Sequence, residues 1–299
     1  MSESSLANEL RRAFPGLTLR ENEPMKAHCS FRIGGPAEVF AEPGSEEELC
    51  ALWRYLRALG APVTVIGNGT NLLVHDEGVR GVIVHLGERF SAISCENERI
   101  FACAGVTLSR LATEAKERGL AGLEFAHGIP GSLGGAVIMN AGAYGGEMKD
   151  VVTSVCYLNE NGEIGETWEP GFAYRSSRFA ARGELVLGAY LRLMPGDPEA
   201  IHARMMELWA KRSASQPLDR PSAGSTFKRP ATGYAAAMID AAGLKGARVG
   251  GAQVSEKHAG FVINTGGATF ADVTALMALI QETVEKQFGV LLEPEVRIL

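Results

Sequence analysis

The segment Gly128-Ile-Pro-Gly-Ser-Leu-Gly-Gly-Ala136 continues through Met139-Asn-Ala-Gly-Ala-Tyr-Gly-Gly146 and places seven glycines within nineteen residues. Close packing of backbone segments explains the glycines, but it does not explain the polar residues between them, Ser132, Asn140 and Tyr144. Glycine lets backbone N–H groups approach an anion closely, and hydroxyl and amide groups add further donors. The segment therefore predicts a cradle for a long cofactor that carries a diphosphate.

Another glycine loop lies earlier in the chain, Gly67-Asn-Gly-Thr-Asn71, and is called the first glycine loop below; it follows a predicted strand at residues 63–66. The loop lacks the third glycine and the following helix of the dinucleotide fingerprint, and the chain contains no Walker A sequence. By itself, this loop is more typical of a plain hairpin turn. Two such loops in one chain favour a cofactor that lies across both.

Helix and strand signals are mixed along the chain. Ser45 and Glu48 form a capping-box pair, and Gly60 follows an apolar stripe at helical spacing, which together predict a helix. The stripe consists of Leu49, Leu52, Trp53, Leu56 and Leu59. Further helices are predicted at residues 108–118, 198–213, 234–242 and 270–288, and strands at residues 63–66, 72–74, 81–86, 92–95, 100–103, 151–158, 163–168, 184–193 and 261–264. The turn pair Asn161-Gly162 predicts that the strands at residues 151–158 and 163–168 form a hairpin. The mixture predicts the α+β class, with a boundary at the proline- and glycine-containing residues 194–198.

The composition is that of an ordinary globular protein. The chain has 299 residues, a net charge of −6, 46% hydrophobic and 21% charged residues. The composition excludes a largely disordered chain. The negative net charge lacks the basic footprint of a general nucleic-acid binder, and the length predicts two domains. Every apolar stretch is far shorter than the ~20 residues of a spanning helix, so we expect no membrane span.

Five scattered cysteines without a CxxC pair predict neither a disulfide framework nor a metal site. We interpret them as small buried thiols in a reducing compartment. Residues 1–15 are charged and lack an apolar core, so we expect no signal peptide. The expected location is therefore the cytoplasm.

Six segments in chain order resemble the motifs of the UDP-N-acetylenolpyruvoylglucosamine reductase (MurB) family. They are His28-Cys-Ser-Phe-Arg-Ile-Gly-Gly35, Val65-Ile-Gly-Asn-Gly-Thr-Asn-Leu-Leu-Val74, Gly128-Ile-Pro-Gly-Ser-Leu-Gly-Gly-Ala136, Tyr174-Arg-Ser-Ser-Arg-Phe179, Ser222-Ala-Gly-Ser-Thr-Phe-Lys-Arg-Pro230 and Leu292-Glu-Pro-Glu-Val-Arg297. Six ordered motifs are more specific than any one of them. No segment resembles the tyrosine-bearing capping insertion of one branch, so the chain resembles the shorter branch, with a more open substrate cleft.

The resemblance implies a vanillyl-alcohol-oxidase (PCMH)-type FAD-binding domain at residues 1–195, in two subdomains near 1–88 and 89–195. It also implies a smaller α+β substrate-binding domain at residues 196–299, whose last residues, 291–299, return to the active site. FAD is expected to bind non-covalently, with NADPH as co-substrate. The FAD contacts that the resemblance implies are Arg32, Gly67, Asn68, Gly69, Thr70, Asn71, Leu72, Gly128, Ile129, Pro130, Gly131, Ser132, Gly134, Gly135, Asn140 and Gly142.

The implied reaction is the reduction, through FAD, of UDP-N-acetylglucosamine enolpyruvate to UDP-N-acetylmuramate for peptidoglycan. Negative charge develops at C2 of the enolpyruvyl group and spreads into its carboxylate, so the site must stabilise an enolate and protonate C2. Ser225 resembles the family's proton donor, while Arg175 and Glu295 resemble the pair that polarises the carboxylate. A forked guanidinium suits a carboxylate, and a buried protonated Glu donates a hydrogen bond to an enolate oxygen.

Residues 204–229 carry six cations against two acids, which suits the diphosphate of a UDP-sugar in a chain of net charge −6. A solvated helix face is the alternative interpretation for Arg204, Lys211 and Arg212. The candidate substrate contacts are Arg212, Lys228, Arg229, Lys245 and His258.

Two other functions remain open from the residues alone. A flavin oxidase or hydroxy-acid dehydrogenase often bonds its flavin to a histidine, but His75, His85 and His127 lie in no recognisable attachment motif. A non-catalytic nucleotide-binding protein has no reason to keep Arg175, Ser225 and Glu295 together. A yellow flavin colour in the purified protein would argue against the non-catalytic binding protein. Titration with NADPH, and then with enolpyruvyl substrate against simple hydroxy acids, would distinguish the reductase from an oxidase or dehydrogenase.

Overall fold

The fold is that of a computed structural model, which describes residues 6–180 and 183–299. The described residues do not include 1–5 and 181–182. The first of these ranges belongs to the segment in which no signal peptide is expected, and the second belongs to the expected FAD-binding domain. In the described part of the chain, every helix is too short or too polar to cross a bilayer.

Helices and short strands are interspersed from end to end. The helices are α1 (Leu6–Ala13), α2 (Glu46–Ala58), α3 (Leu108–Glu117), α4 (Leu133–Ile138), α5 (Pro198–Ser215), α6 (Ala235–Ala241) and α7 (Phe270–Phe288). The strands are β1 (Thr18–Pro24), β2 (Pro36–Glu42), β3 (Val63–Ile66), β4 (Leu72–Leu73), β5 (Val79–His85), β6 (Ile93–Glu96), β7 (Arg99–Cys103), β8 (Leu120–Ala121), β9 (Gly142–Ala143), β10 (Gly146–Glu147), β11 (Val152–Leu158), β12 (Ile164–Thr167), β13 (Leu185–Arg192), β14 (Met194–Pro195), β15 (Ser222–Ser225), β16 (Arg248–Val249), β17 (Ala252–Val254), β18 (Phe261–Asn264) and β19 (Arg297–Ile298). This mixture confirms the α+β prediction.

The chain packs as two compact units. Unit 1 comprises Met1–Glu21, Val39–Asn68 and Arg80–Lys211, and unit 2 comprises Asn22–Glu38, Gly69–Val79 and Arg212–Leu299. Each unit has its own hydrophobic core. Two short N-terminal segments therefore fold with the C-terminal third of the chain.

Unit 1 is built on two main sheets. One is antiparallel with the order β12-β11-β13-β7-β6. The other has the order β1-β2-β5-β3, with β3 and β5 parallel, and most of its residues belong to unit 1. Helix α2 buries Leu49, Leu52, Trp53 and Leu56 in the core of this unit. These are four of the five residues in the predicted stripe; Leu59 is 42% exposed because it lies beyond the last helical turn.

Unit 2 is built on the antiparallel sheet β15-β18-β17-β16. Helix α7 buries one apolar face in the core of this unit, and its middle is marked by Leu276 and Ile280, both fully buried. Phe31 and Leu73, which belong to the two N-terminal segments of unit 2, are buried in the same core. Burial of these side chains explains why the N-terminal segments belong to unit 2.

The expected division at residues 195 and 196 concerns ligand binding and stays a prediction. Packing places the change of unit later, between Lys211 and Arg212. The reason is that α5 buries Ile201, Met205 and Leu208 in the core of unit 1.

The local signals of helix α2 act as predicted. The Ser45 hydroxyl accepts a hydrogen bond from Glu48 N at 3.2 Å, and Gly60 adopts a φ of 63° after the helix ends. In a capping box, the carboxylate of Glu48 would accept a hydrogen bond from the N–H of the N-cap residue, Ser45. Here it accepts instead from the N–H of the preceding residue, Gly44. The predicted hairpin forms from β11 and β12.

Helix α4 lies inside the glycine-rich segment, where the sequence predicts only a loop. Gly134 and Gly135 are poor helix formers, so local propensity does not favour this helix. Tertiary packing explains it, because Gly134 is buried and a Cβ there would lie 2.9 Å from that of Ala104. Close approach to Ala104 thus compensates for the weak propensity.

The five cysteines are free thiols. Cys29 and Cys50 are buried, and the other three are half-buried. Burial raises the pKa of each thiol, most clearly for Cys156, whose pKa rises to about 11. The thiols therefore stay protonated and unreactive at neutral pH.

Helix α7 begins with a capping box, which generates a test of unit 2. Thr269 Oγ1 accepts from Asp272 N, and the Asp272 carboxylate accepts from Thr269 N. We expect Thr269→Ala to lower the free energy of unfolding by about 1 kcal/mol, since a capping hydroxyl is lost. Urea unfolding followed by circular dichroism measures this change.

Thr274→Ala is the matched control, because the Thr274 hydroxyl bonds only carbonyls of the preceding turn of α7, those of Phe270 and Ala271. Alanine has the higher helix propensity, so this variant should be as stable as the wild type or slightly more stable. Equal stability of the Thr269 variant and the wild type would contradict the capping role.

Candidate active site

Arg175 lies at the tip of a tight turn in unit 1. Ala173 and Ser176 exchange two backbone hydrogen bonds, at 2.9 and 3.2 Å, so Tyr174 and Arg175 form the turn between them. Arg175 has a φ of 51°, and its Nη2 donates to Gly142 O at 3.4 Å. Its guanidinium carbon lies 5.3 Å from the centre of the Tyr174 ring. The turn therefore holds a half-buried cation in a strained backbone conformation.

The side chain of Asn140 is hydrogen-bonded to this turn. It is 1% exposed, and its amide nitrogen donates to Ala173 O at 3.1 Å and to Glu147 Oε2 at 2.9 Å. Its amide oxygen accepts from Lys149 N at 3.0 Å. Since the side chain is used in these three bonds, the structure gives Asn140 a supporting role. The FAD contact expected for it stays a prediction.

The two glycine loops meet within unit 1. A Cβ built at Gly67 would collide with the hydroxyl of Ser132, which is 3% exposed. Ser132 also forms a bridge with Thr107, and Gly131 O accepts from Leu108 N at 3.0 Å. Gly67 is therefore required for the approach of one loop to the other, as the packing interpretation of a glycine predicts.

Helix α4 directs two neighbouring glycines differently. Gly134 faces protein and is buried, and its N–H donates to Ala104 O at 2.8 Å. Gly135 is exposed, and a Cβ there would meet no protein atom within 4 Å. The open side of Gly135 leaves room for a ligand close to the backbone. The residues here thus fit the flavin cofactor that the sequence implies.

The other expected FAD contacts differ in exposure. Gly69 is buried, Arg32 and Pro130 are exposed, and the half-buried ones are Gly67, Asn68, Thr70, Asn71, Leu72, Gly128, Ile129, Gly131 and Gly142. The first glycine loop divides between the units after Asn68. In unit 2, Gly69 has a φ of 60° and its carbonyl accepts from Ser30 N at 3.2 Å.

Ser225 ends strand β15 at the edge of the unit 2 sheet. Gly224, with a φ of 76°, lies where the register between β15 and β18 shifts, and Ser225 is paired with Phe261 and exposed. The next residue, Thr226, is 2% exposed, and its hydroxyl accepts from Val262 N at 3.0 Å. The register shift at Gly224 and the burial of Thr226 therefore hold the backbone on both sides of Ser225, and the Ser225 side chain is exposed to solvent.

Glu295 is brought beside the Ser225 segment by backbone pairing. Glu295 N donates to Thr226 O at 2.8 Å, Pro294 forms a bridge with Phe227, and Lys228 N donates to Glu293 O at 2.8 Å. The structure thus brings together two of the three predicted catalytic segments in unit 2. Arg175 belongs to unit 1.

The glycine loop also contacts the segment of Glu295. The amide nitrogen of Asn71 donates to Glu295 O at 3.0 Å, and Asn71 O accepts from Arg297 N at 2.9 Å. Strand β19 then runs parallel to β4, with Arg297 opposite Leu72. Sequence reasoning missed this contact, because a separation of 224 residues carries no periodic signal.

The candidate substrate contacts all lie in unit 2. Lys228 pairs with Glu293 at 3.1 Å, Lys245 pairs with Asp240 at 2.7 Å, and the Arg229 guanidinium carbon lies 4.1 Å from the centre of the Tyr234 ring. Arg212 is half-buried at the end of α5. Burial lowers the pKa of His258, with a smaller effect of Lys245, so its Nδ1 accepts from Gly260 N.

Two cations of residues 204–229, Arg204 and Lys211, lie on a solvated helix face, which was the alternative interpretation for them. Arg204 and Lys211 each lie 2.6 Å from the carboxylate of Glu207 on the exposed face of α5. The two cations therefore share one carboxylate within unit 1.

Backbone strain marks several of the predicted residues. Among the described residues, those other than glycine with a positive φ are Asn22, Arg32, Asn97, Asn140, Tyr144 and Arg175. Three of these six, Arg32, Asn140 and Arg175, are predicted site residues, and Tyr144 was singled out within the glycine segment. Such conformations persist where the surrounding structure enforces them, and they are typical of functional sites.

Asn264 lines a cleft next to Arg32 and was not among the predicted site residues. Arg32, Arg220 and Asn264 line an open depression of about 340 Å³ in unit 2. Asn264 donates to Phe31 O at 3.1 Å and accepts from Gly266 N at 2.9 Å. The available signal was an Asn shortly before the glycine pair Gly266 and Gly267, a composition typical of turns. No group of three or more potential metal ligands occurs within the described residues.

Two family descriptions match the sequence. The C-terminal domain of UDP-N-acetylenolpyruvoylglucosamine reductase matches residues 216–299, and an FAD binding domain matches residues 37–167. The chain is 51% identical over 295 residues to the reductase of that name from Caldanaerobacter subterraneus subsp. tengcongensis, covering 98% of this chain and 97% of the relative. It is 49% identical over 299 residues to that from Agathobacter rectalis, covering 95% of each.

Solved structures show the same likeness. The UDP-N-acetylenolpyruvylglucosamine reductase (MurB) from Thermus caldophilus superposes with a TM-score of 0.80 at 36% identity, covering 94% of this chain and 98% of that chain. An alkyldihydroxyacetonephosphate synthase superposes with a TM-score of 0.50 at 12% identity, covering 65% of this chain and 42% of that chain. The second likeness shows the fold alone.

The two glycines of α4 allow a test of the cofactor cradle. We expect Gly135→Val to lower FAD content while the unfolding of the protein without FAD is unchanged, since a Cβ there meets no protein atom within 4 Å. Gly134→Val is the matched comparison and should lower both, because its side chain would collide with Ala104. FAD absorbance after purification and thermal unfolding of the apoprotein measure the two effects. Full FAD occupancy in the Gly135 variant would exclude this face of α4 as the cradle.

Proposed function

The chain belongs to the UDP-N-acetylenolpyruvoylglucosamine reductase family, and from this premise we propose which side chains perform the reaction. The enzyme is an FAD-containing oxidoreductase that uses NADPH to reduce UDP-N-acetylglucosamine enolpyruvate to UDP-N-acetylmuramate in peptidoglycan synthesis. We assign proton donation to Ser225 and stabilisation of the developing enolate to Arg175 and Glu295.

One observation supports the proposal most directly: the peptide of Glu295 is bonded to the residue that follows Ser225, through Glu295 N and Thr226 O at 2.8 Å. Ser225 itself is exposed, and Glu295 is half-buried. A hydroxyl and a carboxyl group on two adjacent, hydrogen-bonded segments can act on one substrate group. General acid catalysis requires such fixed placement within hydrogen-bond reach of the reacting atom.

Proton transfer from the Ser225 hydroxyl to C2 completes the reduction. FAD held by this chain would supply the hydride-transfer chemistry that connects NADPH with C3 of the enolpyruvyl group. The negative charge left at C2 makes this carbon a strong base, so even a weakly acidic hydroxyl can protonate it. The O–H bond of Ser225 breaks, a C–H bond forms at C2, and solvent reprotonates the serine oxygen.

Arg175 and Glu295 act on the enolpyruvyl carboxylate. The guanidinium of Arg175 offers two parallel N–H groups to the carboxylate oxygens, which carry more charge in the transition state than in the substrate. Glu295, when protonated, donates a hydrogen bond to an enolate oxygen. The left-handed φ of 51° at Arg175 supports this role, since the tight turn defines the direction in which the side chain leaves the backbone.

The remaining assignments are proposals of the same kind. We propose that Arg32, α4 and the two glycine loops, apart from the side-chain amide of Asn71, contact FAD non-covalently, and that Arg212, Lys228, Arg229, Lys245 and His258 contact the UDP-sugar. The first 195 residues carry the FAD-binding function and residues 196–299 the substrate-binding function. The site of action is the cytoplasm, which is consistent with five thiols that remain unpaired to one another.

Ser225→Ala tests the proton donor. FAD content and the rate of flavin reduction by NADPH should be nearly those of the wild type, because the lost hydroxyl is exposed and leaves no cavity. Oxidation of the reduced flavin by the enolpyruvyl substrate should be slower by about 10²–10⁴-fold, the usual contribution of a general acid. Anaerobic stopped-flow absorbance measures both half-reactions.

Ser222→Ala is the matched control on the same strand. The bond made at that position uses the Ser222 carbonyl, which accepts from the Ser30 hydroxyl at 2.6 Å and remains in the variant. Both half-reactions should therefore keep the wild-type rates. If the Ser225 variant also oxidises its reduced flavin at the wild-type rate, the donor is another group.

Glu295→Gln and Arg175→Lys test stabilisation of the enolate. Both should slow the oxidation of reduced flavin by substrate much more than its reduction by NADPH, because enolate charge appears only in the former. Glu293→Gln is the matched control, since this carboxylate lies two residues earlier and is 71% exposed. Equal slowing of both half-reactions in well-folded variants would argue against the assigned roles.

A further inference from the structure

The peptide of Glu295 is held from both sides by hydrogen bonds within unit 2. Its N–H donates to Thr226 O at 2.8 Å, and its carbonyl accepts from the Asn71 amide nitrogen at 3.0 Å. The first bond links Glu295 to the strand of Ser225. The second bond links it to the first glycine loop, through a side chain rather than through the backbone.

The chemistry of the two groups settles which atom of Asn71 faces Glu295. A backbone carbonyl only accepts hydrogen bonds, so its partner must be the amide NH₂ of Asn71 and not its oxygen. An aspartate at this position would have the same shape but no donor. The bond is therefore specific to the amide among side chains of this size.

Backbone pairing prevents Asn71 from moving away from the C-terminal segment. Asn71 O accepts from Arg297 N at 2.9 Å, and Leu299 N donates to Leu73 O at 3.0 Å. These bonds set the register of β19 against β4, but they begin two residues after Glu295. The side chain of Asn71 extends the attachment back to Glu295 itself.

We propose that Asn71 is a positioning residue for the reduction of the enolpyruvyl group. Its amide fixes the Glu295 peptide and thereby the direction of the Glu295 carboxyl relative to the Ser225 strand. The inference rests on the role proposed above for Glu295. It differs from the direct FAD contact that the sequence implies for Asn71, because here the amide nitrogen is used within the protein.

The main experiment uses the FAD-loaded enzyme with Asn71→Ala and the isosteric Asn71→Asp. We expect oxidation of the reduced flavin by UDP-N-acetylglucosamine enolpyruvate to slow by roughly 10²-fold, the effect of a misplacement of about 1 Å. FAD content and reduction by NADPH should stay at wild-type values. Stopped-flow absorbance measures both rates, and flavin absorbance gives the FAD content.

A readout that is independent of turnover is hydrogen exchange of the Glu295 amide in the protein without FAD. Both Asn71 variants should exchange this amide faster than the wild type, because the peptide has lost one of its two attachments. Ile298→Ala is the matched control in the same segment. Its side chain is 52% exposed and makes no hydrogen bond, so this variant should keep the wild-type rates of both half-reactions and of exchange.

A double-variant cycle separates positioning from an independent effect. If Asn71 acts through the Glu295 carboxyl, Asn71→Ala should cause no further slowing in a Glu295→Ala background. The same slowing in both backgrounds would overturn the inference. Loss of FAD, or equal slowing of reduction by NADPH, would also overturn it and would make Asn71 a flavin ligand.

The Glu295→Ala variant alone tests the underlying role of Glu295. If it oxidises its reduced flavin at the wild-type rate, the proposed function of Glu295 fails, and the positioning role fails with it. If Glu295→Ala is slow but both Asn71 variants are unaffected, only the positioning inference fails. The two failures are therefore distinguishable.

Discussion

The hydrogen bonds to the peptide of Glu295 connect three distant parts of the sequence in unit 2. The glycine loop supplies Asn71, the strand of Ser225 supplies Thr226 O, and the C-terminal segment supplies Glu295. Loop closure over such separations is unfavourable in entropy, so the contacts persist only because the segments are also anchored by burial. Leu73 and Phe227, which lie beside these bonds, are both buried in the core of unit 2.

Glycine serves two different purposes in this chain. Gly67 and Gly134 are needed because protein atoms, those of Ser132 and Ala104, lie where their Cβ would be. Gly135 is exposed beside space that no protein atom fills. The packing interpretation of the glycines therefore holds at Gly67 and Gly134, whereas the open space at Gly135 is where the ligand interpretation stays a prediction. The side of α4 on which each glycine lies decides between them.

The turn of Arg175 shows how a cationic side chain is positioned without regular secondary structure. Its backbone has an uncommon φ for an arginine, and Asn140 holds it through the carbonyl of Ala173. Asn140 itself is buried and bonded to Glu147 and Lys149. A fully bonded buried amide gives the turn a rigid base, since breaking any one of these bonds would leave a buried polar group unsatisfied.

The sequence by itself determined the α+β class, the main helices and hairpin, and the motifs of the family. These features depend on local signals, such as the cap of α2 at Ser45, the period of its apolar residues, and the glycine that follows α7. Tertiary structure alone decided that α4 forms within a glycine-rich segment and that Leu73 and Phe31 belong to the core of the C-terminal unit. It also decided that Asn71 bonds to Glu295. The physical reason is that close approach, burial and backbone pairing between remote segments leave no periodic pattern in the sequence, whereas caps, turns and amphipathic faces do.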